Sequence, residues 1–411
     1  MNTLGYVYEQ GHEIPVLKEA EVVVVGGGIA GIAAALAAAR HGRRVLLMER
    51  EYALGGMATL GLVTIYLPLC DGLGNQLIFS IGEELLRRSV AIAPEQPVPA
   101  AWEAGGTKEA RCKERYVARF NAQIYALAME QLLAEEGVEL LYGSAVCGAQ
   151  VEDGRITSLI VENKSGRFAV ACGSVIDCSG DADVCALAGA ETALYGRGNA
   201  LASWYYYYTG GKVQLKMFGL ADVAQDNGDD DVGEGPYQAK KVAALDADFR
   251  FSGVDGMELS RAVQAAHGKM FADILKAREK AEDFVPVTMS TIPLVRMSRR
   301  LVGARTLDEA EDHVHQPDSI GMTGDWRKVG PAFEIPYGCL HNGKIKNLLA
   351  AGRDISVTDA MWDITRVIPP CAVTGQAAGT AAALTDDVTT LDVGLLQRTL
   401  AADGVRLHWA E

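Results

Sequence analysis

The chain has 411 residues, of which 49% are hydrophobic and 22% charged, the balance of an ordinary soluble globular protein. Its formal net charge is −15, from 38 basic and 53 acidic residues. This balance argues against a nucleic-acid surface and an anionic-membrane surface, because both need clustered Lys and Arg. The 8 cysteines contain no C-x-x-C pair, which argues against zinc-knuckle spacing and a sequence-local dithiol.

The start of the chain predicts neither a membrane span nor a secretory signal peptide. Residues 22–39 carry no charge and have about the length of a short membrane span. Four glycines lie within the first ten of these residues, however, and a buried parallel strand followed by a buried helix has the same hydropathy. The first twenty residues have no apolar core of the signal-peptide type, so we expect a cytoplasmic protein with reduced thiols.

The first elements in chain order form a β-α-β unit. Residues 21–25 predict a strand, an Ala-rich helix runs to about residue 41, and residues 43–48 predict a second strand. Such a unit demands a parallel strand pair joined by a right-handed crossover. The sequence therefore predicts a Rossmann-like start.

The later elements alternate between strands and helices. The predicted elements are a helix at 121–136, a strand at 138–141, a hairpin at 146–162, a strand at 170–177, a helix at 255–280, a strand at 348–351 and a helix at 370–384. Four consecutive tyrosines at 205–208 favour a strand over an aromatic cage. The acidic run at 226–231 lacks the spacing of a calcium loop and predicts a solvated surface loop.

This order predicts an α/β fold with a nucleotide-binding domain assembled from separated segments and an inserted α+β substrate domain. We expect an N-terminal extension (1–20), the nucleotide-binding domain (21–190 and 341–385), the inserted domain (191–340) and a C-terminal tail (386–411).

The strongest chemical signal is the loop Gly26-x-Gly28-x-x-Gly31 between the first strand and the first helix. The first glycine permits a tight turn, the second lets a pyrophosphate approach the backbone, and the third lets helix and strand pack closely. Glu49 ends the next strand, where a carboxylate can accept both ribose hydroxyls and repel the 2′-phosphate of NADP. A glycine-rich turn without a ligand is the weaker interpretation.

A second glycine pair follows five residues after Glu49, in the run Gly55-Gly56-Met57-Ala58-Thr59. An NAD site does not require a second glycine pair. The longer FAD molecule does, because protein backbone passes close to its ribitol and ring. The run from Val22 to Thr59 resembles the FAD-binding start of the glutathione-reductase-like flavoproteins, which include the fumarate reductases. Histidine, the residue that often links FAD covalently in the fumarate-reductase type, is absent between Gly55 and Gln76. We therefore expect non-covalent FAD, with Cys70 open as an unusual link.

Three later segments, 298–303, 347–356 and 366–379, resemble the bacterial FAD-dependent oxidoreductase family, and the resemblance covers residues 20–385. It implies that Asp354 lies near the FAD ribitol and that the helix after Pro370 points at the pyrimidine edge of the flavin. The glycine motifs and the resemblance together predict these cofactor-binding residues: Gly26, Gly28, Ile29, Ala30, Gly31, Glu49, Arg50, Gly55, Gly56, Met57, Ala58, Val146, Gly180, Asp181, Gly352, Arg353, Asp354, Ala372 and Val373.

The catalytic candidates are Tyr66, Cys70, Arg299 and Arg366, with Arg300 as a further arginine of the same kind. Tyr66 and Cys70 follow the second glycine pair, although a free cysteine is more commonly a buried small hydrophobe. The arginines can anchor a carboxylate or oxyanion near a flavin, and a salt bridge or phosphate contact explains them equally well.

Two further motifs carry weaker signals. Cys371 lies at the start of the flavin-facing helix, where a thiol pKa is expected to fall, and the alternative is again a buried cysteine. His313-x-His315 lacks the further ligands that a metal needs, so no metal site is predicted, and His341 is expected to be structural or solvent-facing.

The sequence thus predicts a flavoenzyme that moves a hydride between FAD and a small-molecule substrate. Neither a second G-x-G-x-x-G nor a C-x-x-C is present, so we expect a separate electron acceptor or donor rather than a nicotinamide. Two alternatives stay open: an NAD-dependent dehydrogenase, and a flavoprotein electron-transfer subunit that needs a partner. The substrate, the direction of the reaction and a homo-oligomeric state are left open.

Overall fold

The computed structural model describes residues 13–218 and 249–409, together with Val7 and Gly11. The acidic loop expected at 226–231 lies outside these residues, as do most of the first twelve residues of the chain and its last two.

In the described ranges the strands are numbered in chain order. They are β1 (Val16–Val25), β2 (Val45–Met48), β3 (Ile65–Tyr66), β4 (Ala118–Arg119), β5 (Glu139–Leu141), β6 (Ala145–Glu152), β7 (Arg155–Asn163), β8 (Gly166–Asp177), β9 (Thr192–Leu194), β10 (Asn199–Ala200), β11 (Ser203–Thr209), β12 (Lys212–Phe218), β13 (Arg250–Phe251), β14 (Val285–Met289), β15 (Arg299–Leu301), β16 (Ser319–Gly324), β17 (Ala332–Pro336) and β18 (Leu348–Ala350). The α-helices of the same ranges are α1 (Ile29–Arg40), α2 (Ser80–Val90), α3 (Lys108–Lys113), α4 (Ala122–Glu135), α5 (Asp183–Leu187), α6 (Gly256–Lys280), α7 (Asp359–Thr365), α8 (Ile368–Leu384) and α9 (Val393–Ala402).

The main sheet of the described residues has the order β5-β2-β1-β8-β7-β6, with β18 also paired to β8. The strands β5, β2, β1, β8 and β18 run parallel, whereas β6 and β7 form an antiparallel hairpin at one side. The predicted parallel β-α-β start is confirmed. The strand β1 begins at Val16 rather than at residue 21, because its first half pairs with β8 despite the charges of Lys18 and Glu19.

The two Ala- and Gly-rich helices, α1 and α8, pack against each other at backbone distance. A Cβ added to Gly375 or Gly379 would lie 2.2 Å from the carbonyl oxygen of Ala30 or Ala34, respectively. Every residue of α1 from Ile29 to Ala38 is buried, and so is nearly all of α8. This contact explains why the sequence of both helices is uniformly small and apolar rather than amphipathic.

The segment between residues 191 and 340 divides between two environments. The strand β11 pairs with β12 and β14, and the hydroxyl of its Tyr205 donates to Asp273 of α6 at 2.6 Å. These strands form a three-stranded sheet separate from the main sheet, and α6 packs against it. The strand predicted from the four consecutive tyrosines is confirmed. The hairpin β16–β17 instead packs in the main core with α1 and α8, which differs from the expected boundary at residue 340.

Candidate functional site

A cleft of about 440 Å³ opens at the carboxyl ends of the parallel strands. Val25 and Met48, the last residues of β1 and β2, lie on its wall, and so do Cys178 and Ala351, which directly follow β8 and β18. Crevices at this edge of a parallel α/β sheet are where such folds bind ligands.

Most of the predicted cofactor-binding residues meet at this cleft. Those on its wall are Gly26, Gly28, Ile29, Ala30, Glu49, Arg50, Gly55, Gly56, Met57, Ala58, Val146, Gly180, Asp181, Gly352 and Arg353. They come from separated parts of the chain, and their shared location at the strand ends supports the prediction that they act together.

The three glycines of the first loop have three different surroundings. Gly26 has φ +102°, a conformation that side chains disfavour. A Cβ added to Gly31 would lie 1.8 Å from the carbonyl oxygen of Gly26, so no side chain fits between α1 and the loop. A Cβ added to Gly28, in contrast, would meet no atom of the described residues within 4 Å. The space in front of Gly28 is therefore left for a ligand, at the helix end whose amides lack intrahelical acceptors.

Glu49 lies buried at the end of β2, beside the first glycine loop. Its Oε2 accepts the N–H of Gly27 at 2.6 Å and its Oε1 accepts the N–H of Glu51 at 2.8 Å. These bonds fix the carboxylate and leave each oxygen a lone pair for ribose hydroxyls. Burial raises the pKa of Glu49, an effect that its two N–H donors oppose.

The second glycine pair returns the chain to the first loop. The N–H of Gly55 donates to the carbonyl of Gly27 at 2.8 Å, and a Cβ on Gly56 would lie 3.4 Å from the Cα of Gly28. Gly55 and Gly56 have φ of +101° and +51°. The two motifs thus form one continuous backbone wall, which a side chain at either position would strain.

Arg353 joins three segments around the opposite wall of the cleft. Its Nε donates to the carbonyl of Gly180 at 2.6 Å, and a second nitrogen donates to Asp181 at 2.8 Å. A third contact is to the carbonyl of Val295, and Ser298 donates to the same Asp181 carboxylate. Arg353 therefore positions the loop after β8 against residues 295–298, which belong to the predicted insertion 191–340, called the inserted segment below.

The comparison with protein families identifies the cofactor. A family model described as FAD dependent oxidoreductase matches residues 21–250 and 234–400, most of the chain. The chain belongs to the FAD-dependent oxidoreductase family. It is an oxidoreductase whose cofactor is FAD, and the comparison with curated proteins gives no match.

Solved structures also match the chain, at low sequence identity. A geranylgeranyl bacteriochlorophyll reductase-like protein from Thermoplasma acidophilum is 13% identical, with a TM-score of 0.48, over 94% of this chain and 84% of that one. The p-nitrophenol 4-monooxygenase PnpA from Pseudomonas putida DLL-E4 is 12% identical, with a TM-score of 0.49, over 96% of this chain and 91% of that one. Neither likeness extends to a substrate. In the described part of the chain, no helix is long and apolar enough to cross a membrane.

The residues of the cleft fit FAD. The open space at Gly28 accommodates a pyrophosphate against the start of α1, Glu49 has free lone pairs for the ribose, and the second glycine pair extends the backbone wall beyond them. A cleft of about 440 Å³ is also within the range of small-molecule and cofactor pockets.

Four of the predicted cofactor-binding residues do not line the cleft. Gly31 is buried under Gly26, and Ala372 and Val373 are buried in α8, which meets the cleft through Ile368 and Cys371 instead. The structure thus differs from the expectation for Ala372 and Val373, because Ile368 and Cys371 are the residues of α8 that lie on the cleft wall.

Asp354 is the fourth of these residues, and it lies behind the wall. Its Oδ2 accepts the N–H of Ala182 at 3.2 Å, while its Oδ1 has no hydrogen-bond partner among the described residues. Burial raises the pKa of Asp354 well above its usual range, and the nearby Asp177 adds to the rise. This placement differs from the implied contact with the ribitol, because Asp354 is fully buried and does not line the cleft.

Tyr66 and Cys70 are interior residues rather than cleft residues. The hydroxyl of Tyr66 donates to the carbonyl of Gly82 at 2.7 Å, and Cys70 accepts the N–H of Tyr116 at 3.3 Å. Burial raises the pKa of both side chains. Their expected catalytic role is corrected, because closeness in sequence to the second glycine pair does not direct either side chain toward the cleft.

Of the arginine candidates, the structure places Arg366 on the cleft wall and the others behind it. Arg299 donates to Asp183 and to the carbonyl of Asp181, which is the salt-bridge alternative. Arg300 lies over the ring of Trp362 at 5.6 Å.

Cys371 lines the cleft, but its thiol is not activated. Burial raises the pKa of Cys371 to about 12, opposite to the expected fall at a helix start. Its Sγ lies 3.3 Å from the carbonyl of Arg366, to which the thiol donates. The rise in the thiol pKa that burial causes therefore outweighs the fall expected at a helix start.

Several cleft residues carry no motif and were missed. Val254, Leu259, Ile292 and Pro293 form an apolar wall contributed by the inserted segment. No spacing identifies them, because they reach the cleft only through tertiary packing. The ion pair between Asp363 and Arg366 could have been predicted from their spacing, because residues three apart lie on the same side of a helix.

Replacing Glu49 with alanine is expected to weaken FAD binding by about 1–3 kcal/mol, since it removes the ribose acceptor from a buried wall. The measurement is the Kd of the apoprotein for FAD, from the change in flavin fluorescence. Glu139→Ala, on the neighbouring strand β5 and half exposed, is the matched control. An unchanged Kd in Glu49→Ala would show that Glu49 is not the ribose acceptor.

Proposed function

We propose that the chain transfers a hydride between non-covalent FAD and a small organic substrate held where the inserted segment meets the cleft. The observation that carries this proposal is the composition of the cleft wall. Gly28 and Glu49 line the same continuous space as Ile292 and Pro293 of the inserted segment. When bound, FAD supplies the hydride acceptor or donor at its N5.

The apolar wall and Arg366 define the substrate end of this space. Ile292 and Pro293 exclude water, which strengthens electrostatic interactions within the cleft. The Nε of Arg366 donates to Asp363 at 3.0 Å, and Asp363 also pairs with Arg327 at 3.4 Å. Burial alone would raise the pKa of Asp363, but these arginines hold it below its usual range. The ionised carboxylate keeps Arg366 in place to bind a substrate carboxylate or oxyanion.

The position of the start of α8 also supports hydride transfer at this cleft. Ile368, its first residue, lines the cleft, and prolines follow at the next two positions, where they suit a helix start. The positive end of the helix dipole therefore faces the cleft and stabilises negative charge there. A reduced flavin places such a charge at its N1 and C2 carbonyl.

We also propose that the run from Val22 to Thr59 groups the chain with the glutathione-reductase-like flavoproteins. A separate proposal is that the FAD is not covalently linked to the protein. None of the described histidines lines the cleft, and Cys70 is buried in the interior. The remaining cysteines on the wall, Cys178 and Cys371, have pKa values raised by burial and are poor nucleophiles.

The electron source distinguishes this proposal from a nicotinamide enzyme. We expect anaerobic mixing with excess NADH or NADPH to leave the oxidised flavin band unbleached for many minutes. A panel of small hydroxy, amino and carboxylic acids should contain a compound that bleaches it rapidly, and photoreduced protein mixed with unsaturated acids tests the reverse direction. Rapid, saturable bleaching by NADH would overturn the proposal.

A further inference from the structure

We propose that His315, Glu334 and His408 form a binding site for a divalent transition metal, with zinc as the best chemical match. Glu334 lies on β17, His315 precedes β16, and His408 follows α9 near the end of the chain. One ligand atom from each of the three lies within 4.8 Å of the other two. Two imidazoles and one carboxylate are a donor set that zinc commonly takes. The proposal is independent of the function of the FAD cleft.

Two of the three distances between the donor atoms already lie near those of a metal site. In a tetrahedral zinc site with bonds of 2.0–2.1 Å, neighbouring ligand atoms lie about 3.3 Å apart. The Nδ1 of His315 is 3.3 Å from the Oε2 of Glu334, and the Nδ1 of His408 is 2.9 Å from the same oxygen. The ligand nitrogens of the two histidines lie within 4.8 Å of each other, so a relative shift of the rings of at most about 1.5 Å completes the tetrahedral spacing.

Glu334 is positioned by the two neighbours of the histidines. Its Oε2 accepts the N–H of Gln316 at 2.8 Å, and its Oε1 accepts the N–H of Trp409 at 2.9 Å. Each donor directly follows one of the two histidines in the chain. The hydrogen bonds that hold the carboxylate thus also bring both imidazoles to it, which is how supporting contacts orient metal ligands.

The exposure of the three residues fits entry of an ion from solvent. The side chain of Glu334 is 4% exposed, whereas those of His315 and His408 are 67% and 37% exposed. The two rings lie 4.7 Å apart and tilted by 43°, both directed at one carboxylate oxygen. Water can fill the fourth position. A bound ion would tie the C-terminal segment around His408 to β17.

The test is a titration of the full-length holoprotein, after treatment with a chelator, with Zn²⁺ in competition with a chromophoric chelator. We expect one Zn²⁺ per chain, and Co²⁺ in its place should give the visible absorption of a tetrahedral site. His315→Gln and His408→Gln should each weaken Zn²⁺ binding at least tenfold, and Zn²⁺ should raise the Tm of the wild type more than that of either variant.

The matched control is His313→Asn, which changes the other histidine of the same H-x-H pair. His313 pairs with Asp312 and lies against the ring of Trp409, and asparagine tolerates its φ of +55°. This variant should bind Zn²⁺ like the wild type. The flavin content of each variant shows whether its fold is intact. Equal Zn²⁺ affinity in the wild type and the two Gln variants would show an ion pair only and overturn the proposal.

Discussion

Gly31→Ala is expected to purify without FAD and to lose about 1–3 kcal/mol or more of unfolding free energy. Its Cβ would lie 1.8 Å from the carbonyl oxygen of Gly26, so either the loop or α1 must move. That loop cannot yield easily, because a Cβ on Gly26 would itself lie 2.4 Å from the carbonyl oxygen of Cys178. Urea unfolding of the apoprotein and the visible spectrum of the purified protein measure the two effects.

Gly268→Ala is the matched control for a glycine within a helix. Gly268 is an exposed residue of α6, and a Cβ there meets no atom within 4 Å in the part of the chain that the structure describes. Alanine should stabilise this helix by about 1 kcal/mol because it has the higher helix propensity. If Gly31→Ala matched this control in stability and flavin content, the close contact of α1 with the loop would be refuted.

The second large effect is a loss of FAD without a loss of fold, expected for Gly28→Ala. Among the described residues a Cβ on Gly28 has no protein atom within 4 Å, so it would project into the space that a pyrophosphate needs. We expect the Kd for FAD to rise at least ~100-fold, equivalent to about 2.8 kcal/mol, while the unfolding free energy of the apoprotein changes by less than about 1 kcal/mol. Fluorescence titration of the apoprotein with FAD measures the first quantity.

The comparison of the two variants separates packing from binding. Gly31→Ala should lose both stability and FAD, whereas Gly28→Ala should lose FAD alone. A wild-type Kd in Gly28→Ala would mean that no phosphate approaches this backbone.

The nucleotide-binding part of the fold was predictable from sequence because its constraints are local. The backbone around Gly26 and Gly31 tolerates few alternatives. The second half of the strand before it, residues 22–25, and the helix after it have uninterrupted apolar sequences. The long helix α6 was likewise predicted within one residue of its start, where Asp255 caps it by accepting from Met257 and Glu258.

The substrate side of the cleft was not predictable for the opposite reason. Tyr66 and Cys70 were inferred to be catalytic from closeness in sequence, but side-chain direction is decided by packing, and both point into the core. Ile292 and Pro293 reach the cleft through contacts far apart in the chain. Those contacts leave no periodicity or spacing to detect.

The central claim, a non-covalent FAD held in this cleft, is tested most directly by the visible spectrum of the purified protein before and after acid precipitation. We expect the spectrum of an oxidised flavin and, after precipitation, about one FAD per chain in the supernatant with a colourless pellet. Protein that neither purifies with flavin nor binds added FAD would contradict the assignment of the cleft, and colour retained in the pellet would contradict the non-covalent link.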